Sequence, residues 1–134
     1  MANVLFDTGR FGFLTGLIDW DTDVIKAVLV DHAVITPLPG THVFLSDIST
    51  GVVATSPALT SPTGTAGVAD AADITFTAVS GASCESLVLY KDTGVAATSR
   101  LIAFIDTATG LPVTPNGSNI TVQWDNASNR IFKL

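Results

Sequence analysis

The chain has 134 residues (13.8 kDa), the size of one domain, and folding at that length buries roughly two-thirds of the surface the unfolded chain exposes. Six Lys and Arg against twelve Asp and Glu give a net charge of −6, which excludes a nucleic-acid binder that works by neutralising phosphates. Only 13% of residues are charged, Glu85 is the sole Glu, and Thr, Val and Ala dominate, a composition that argues against an all-helical protein.

The opening Met1-Ala2-Asn3-Val4-Leu5-Phe6-Asp7 has no basic region and no apolar run of signal-peptide length, so the sequence predicts a chain that stays in the cytoplasm where it is made. No apolar stretch approaches the ~20 residues of a spanning helix, which predicts no membrane partner. Phe6, Phe11 and Phe13 follow closely, interleaved with Gly9, Gly12 and Gly16. Flexible glycine spacing and adhesive rings read as an extended N-terminal arm over residues 1–16. That arm either closes its own core as a first strand or docks on a neighbouring protein.

Residues 17–134 read as a single β-sandwich domain. Turn signals punctuate them, among them Asp31-His32, Pro37-Leu38-Pro39-Gly40, Ser61-Pro62-Thr63-Gly64, Ser80-Gly81, Asp92-Thr93-Gly94, Thr109-Gly110 and Asn116-Gly117. Between them lie β-branched and aromatic runs: Leu17 to Trp20, Val24 to Val30, Gly51 to Thr55, Ile74 to Val79, Ser86 to Lys91, Leu101 to Asp106 and Asn119 to Trp124. His42 to Ile48 stays open between strand and one or two helical turns. Pro57 to Asp73, with almost no large side chains, reads as a surface loop. The expected class is all-β, an antiparallel β-sandwich of jelly-roll type with the N-terminal arm extended from it.

Side-chain alternation separates two kinds of strand. Ile74, Phe76 and Ala78 oppose Thr75 and Thr77, the pattern of a half-buried strand. By contrast Leu87-Val88-Leu89-Tyr90 and Leu101-Ile102-Ala103-Phe104-Ile105 are apolar on both faces, whereas an antiparallel sandwich needs only one dry face. Composition argues against a helix as the second cover, which leaves the arm or another subunit. Phe6, Phe11, Phe13, Val88, Tyr90, Ile102 and Phe104 are therefore the candidate partner-interface residues, with a dimer or trimer of this chain among the partners.

Chemistry-bearing patterns are sparse. Asp19, Asp21 and Asp23 put three carboxylates on one side of an extended segment, as a calcium site could use, but Val24 and Val30 stand where a calcium loop wants Gly and Glu. The competing reading is a solvated turn anchored by Trp20. His32 after Asp31, and His42 near Ser46 and Asp47, invite a Ser-His-Asp triad, yet no nucleophile elbow, zinc pair or phosphate loop accompanies them. Cys84 is alone and has no basic neighbour, so it reads as a small strand-end residue. The sequence predicts no catalytic residue, no cofactor and no metal. A glycan-binding module would need exposed rings, for which Trp20, Tyr90 and Trp124 are the candidates. Asn-x-Ser/Thr triplets at Asn116, Asn119 and Asn126 read as polar turns.

Asp106-Thr107-Ala108-Thr109-Gly110-Leu111-Pro112-Val113-Thr114-Pro115-Asn116-Gly117, then Ile120-Thr121-Val122-Gln123-Trp124-Asp125-Asn126 and Arg130-Ile131-Phe132-Lys133-Leu134, resemble a class of small virion proteins of tailed bacteriophages. Asp7-Thr8-Gly9-Arg10, Ile18-Asp19-Trp20 and Ile25-Lys26-Ala27-Val28-Leu29-Val30-Asp31 are similar to the same class. The resemblance touches about half the chain and leaves Pro37 to Asp70 unmatched. It implies a non-enzymatic capsid decoration or cement protein, bound to the major capsid protein on the outer surface of the head, with no nucleic-acid partner. It carries over no functional residue. A neck, tail or fibre-associated adaptor or receptor-binding module is the alternative.

Overall fold

The computed structural model describes residues 3–125 and 130–134. In chain order the elements are β1 (Val4–Leu5), α1 (Asp7–Leu14), β2 (Ile25–Val30), β3 (Val52–Thr55), β4 (Val68–Ala69), β5 (Ile74–Phe76), β6 (Ser86–Lys91), β7 (Leu101–Ile105), β8 (Ile120–Val122) and β9 (Phe132–Lys133). The fold is mainly β, with every pairing antiparallel. One five-stranded sheet runs in the order β1-β7-β6-β2-β3, and β4-β9 and β5-β8 form separate two-stranded ladders. No helix among the described residues is long and apolar enough to cross a membrane.

Apolar residues on both faces of β2, β6 and β7 require two covers, and the chain supplies both. On one face Ile25, Ala27, Leu29, Leu87, Leu89 and Ala103 lie under Trp20, Leu59, Ile74, Phe76 and Trp124. The two ladders thus act as a split second layer. Each indole spans this layer with its ring buried and its N–H satisfied: Trp20 Nε1 donates to the carbonyl of Asp70 at 3.1 Å and Trp124 Nε1 to that of Ala72 at 3.0 Å. Residues 57–73 are therefore more than a surface loop. They carry β4, bury Leu59, Ala69 and Ala71, and provide both indole acceptors.

On the other face Val28, Val30, Val88, Tyr90, Leu101 and Phe104 are covered by Phe6 and Ile48, with Leu45 and Ile35 at the margin. His42 to Ile48 contains a 3-10 turn at Leu45–Asp47, and a second follows at Ser49–Gly51. Asp47 fixes the first: its Oδ2 accepts the N–H groups of Val43 (2.8 Å) and Phe44 (3.0 Å), and these bonds hold its carboxyl below the usual Asp range.

The N-terminal segment is where sequence and structure part most. It is not an extended arm. β1 pairs with β7, Phe6 donates its N–H to the carbonyl of Ile102 at 2.9 Å, and the Phe6 ring, with no solvent exposure, meets Phe104 edge-on at 6.5 Å. The glycines read as flexibility instead form the contact face of a helix. Thr8, Gly9 and Gly12 are the buried residues of α1, and a Cβ built on Gly9 would stand 2.7 Å from the carbonyl oxygen of Ile102. Absence of a side chain lets the helix rest on the backbone of β7. Gly16, at φ +76°, then ends α1 in a Schellman turn with the N–H of Leu17 on the carbonyl of Gly12 at 2.9 Å. A helix does pack on the sheet, against the expectation from composition, because small residues bring it close to the backbone of β7, while other residues cover the apolar faces.

Leu17 to Trp20, expected as a strand, is turn and coil. The Asp19 carboxylate accepts the N–H groups of Asp21 (3.1 Å) and Thr22 (3.3 Å), which closes the backbone into an Asx turn before β2.

Gly9→Ala tests the close approach. In an isolated helix the change is worth up to ~1 kcal/mol in favour of folding. Here overpacking against Ile102 is expected to lower stability by about 1–3 kcal/mol, read as a reduced denaturant midpoint at unchanged m-value. Leu14→Ala, on the exposed face of the same helix, is expected to stay within about 0.5 kcal/mol.

Candidate interaction surface

Five of the seven residues read as interface candidates lie inside the molecule: Phe6, Val88, Tyr90, Ile102 and Phe104 are all at most 3% exposed. Val88, Tyr90 and Phe104 lie on the face that Phe6 and Ile48 already cover, and Ile102 lies in the core of the opposite face. Phe13 is half-buried against Phe132, ring centroids 5.7 Å apart. Phe11 alone of the seven projects outward, 53% exposed.

Helical spacing explains the division. With Thr8, Gly9 and Gly12 turned to β7, residues 7, 10, 11 and 14 point outward. Phe11 and Leu14, the latter 87% exposed, therefore stand side by side at i, i+3. Leu17 and Val24, beyond the helix, are exposed as well. Lys91 ties these two segments together, donating from Nζ to the carbonyl of Leu17 at 2.7 Å and pairing with the Asp23 carboxylate at 3.1 Å. At the other end the Arg100 guanidinium lies 5.6 Å from the Phe11 ring and 5.2 Å from that of Phe44, with a further hydrogen bond to the Thr8 hydroxyl. Phe11 is thus held in place while exposed. Sequence reasoning missed Leu14, Leu17 and Val24; the signal was the i, i+3 repeat of Phe11 and Leu14 opposite Gly9 and Gly12.

The other singled-out groups have structural roles. Asp19 and Asp23 serve the turn and Lys91, and among the described residues no three His, Cys, Asp or Glu are grouped to hold a metal ion. His32 does meet a serine, with Nε2 2.8 Å from Ser86 Oγ and its ring stacked on Phe104 at 6.0 Å. Ser86 is fully buried, so its hydroxyl is closed to substrate. His42 Nδ1 accepts the N–H of Leu38 at 2.9 Å, while Asp47 is occupied with the backbone of Val43 and Phe44, so His42, Ser46 and Asp47 form no relay. Trp20, Tyr90 and Trp124 are each less than a tenth exposed and offer no platform for a sugar ring. Asn116 accepts the N–H of Ser118, and Asn119 that of Ala78, as polar turn residues do. Asn126 lies outside the described residues.

No protein-family model matches the chain, and no curated protein matches it significantly.

Cys84 is fully buried, and burial pushes its thiol up to about 11, with the Glu85 and Asp31 charges adding to the rise. Native protein is expected to resist iodoacetamide at pH 8 and to be alkylated at once in denaturant, as intact-mass measurement will show. Because the folded thiol holds its proton more tightly than the unfolded one, its contribution to stability is complete below pH 9 and is lost between pH 9 and about 11. Tyr90, raised by burial to about 12, extends that loss.

Proposed function

We propose that the chain is a non-enzymatic structural protein of a tailed-bacteriophage virion, a capsid decoration or cement protein that sets the α1 strip against the major capsid protein on the outer shell. The resemblance of residues 106–117, 120–126 and 130–134 to small virion proteins supplies the class. The observation that carries the docking role is the pair Phe11 and Leu14, exposed on a helix whose opposite face is locked to the sheet, with Leu17 and Val24 exposed in the turn that follows. Apolar side chains held rigidly in water favour association, because little conformational entropy remains to be lost on contact. A jelly-roll-like sandwich, with the two short ladders as its second layer, belongs to this reading, as does assembly into a dimer or trimer on the shell.

A cement protein needs no active site, and the buried Ser86 and Cys84 suit that role. The net charge of −6 suits an outward surface that keeps particles apart in solution. On a symmetric shell the same contact repeats at every copy, so a modest interface stabilises the whole.

Quantitative mass spectrometry of purified particles tests the reading. A copy number near that of the major capsid protein is expected, and Phe11→Asp with Leu14→Asp is expected to lower occupancy at least tenfold while leaving the free protein folded. Six or twelve copies per particle contradict the cement role and favour the neck or tail adaptor.

A further inference from the structure

A second surface feature includes Arg10 of α1, which neighbours Leu14 at i, i+4. Val4, Leu5, Ile105 and Phe132 floor a cleft of about 310 Å³ between the β1 edge of the main sheet and β9, at the lower end of the ~300–1,000 Å³ span of ligand sites. Arg10 and Lys133 also line it.

The ion-pair pattern of the molecule makes these two residues distinctive. Of the six cationic side chains, Lys26 pairs with Asp92 at 2.8 Å, Lys91 with Asp23 at 3.1 Å and Arg130 with Asp70 at 3.2 Å. Arg100 is held by Thr8 and by the rings of Phe11 and Phe44. Arg10 and Lys133 have no ion-pair partner among the described residues. They are 123 positions apart in sequence, yet both line the same cleft of a protein whose net charge is −6. A cleft lined by apolar side chains and by two cations without ion-pair partners is complementary to a ligand with an aliphatic group and a carboxylate.

The main chain narrows the ligand further. In the β1-β7 ladder, Phe6 directs its N–H to Ile102, so the alternation of antiparallel pairing turns the N–H and C=O of Leu5 away from β7. Leu5 thus offers a main-chain donor and acceptor at the cleft, the pair an added strand uses.

We propose that this cleft takes an extended acidic segment of a partner polypeptide, laying an aliphatic side chain on Leu5 and Phe132 and a carboxylate between Arg10 and Lys133. The inference stands apart from the virion reading, since the chemistry of the cleft names a peptide, whatever assembly supplies it.

The test uses the full chain and three probes at low salt: an acetylated and amidated hexapeptide of alternating Asp and Leu, the same peptide with Lys for each Asp, and octanoate. Backbone NMR shifts of Leu5, Ile105 and Phe132 report the cleft. The acidic peptide is expected to shift these amides saturably, more weakly at higher salt, and Arg10→Ser with Lys133→Ser is expected to raise its Kd at least tenfold without altering shifts elsewhere. Equal binding of the acidic and basic peptides, binding unchanged in the double variant, binding of octanoate alone, or no shift at millimolar peptide would each overturn the proposal.

Discussion

The governing constraint is a sheet with no wet face. β2, β6 and β7 carry large apolar side chains on both sides, and burying each is worth about 1.5–3 kcal/mol relative to leaving it exposed. A chain of this length cannot leave two such faces open. Nearly every other feature follows from how it covers them: two short ladders and two indoles on one side, Phe6 and the 3-10 turns around Ile48 on the other.

This division of labour fixes what remains at the surface. Because Phe6 must reach the second face, the chain crosses β7 immediately afterwards, and small residues at 8, 9 and 12 are what let it cross as a helix. A helix docked through its small-residue face necessarily turns its larger residues outward. Phe11 and Leu14 are therefore exposed as a consequence of the same close approach that buries Phe6. The contact with the β7 backbone and the exposed pair Phe11 and Leu14 are two sides of one eight-residue element.

Strands were legible wherever β-branched and aromatic runs were long: β2, β3, β6 and β7 lie within the stretches that composition and alternation mark, and β6 matches its run end to end. The need for a second cover was also legible, from Leu87 to Tyr90 and Leu101 to Ile105. What supplied it was not. Gly9 and Gly12 are poor helix formers in isolation, so local propensity points to a flexible arm, and only the tertiary contact with Ile102 reverses that preference. Likewise Leu59, Ala69 and Ala71 sit in a segment of small and polar residues whose burial depends on chain far away in sequence. The site was misread for the same reason: Val88, Tyr90 and Phe104 looked unsheltered because Phe6 and Ile48, which shelter them, come from segments far away in sequence.

The central claim is that the N-terminal segment is part of the folded unit and not an appendage. Native-state hydrogen exchange of the Phe6 amide, which donates to Ile102, measures this directly. The account predicts that Phe6 exchanges only through global unfolding, with the same opening free energy as the amides of β6. Exchange at Phe6 and through α1 that is orders of magnitude faster than in β6 would show a segment that lifts off the sheet, and would contradict it.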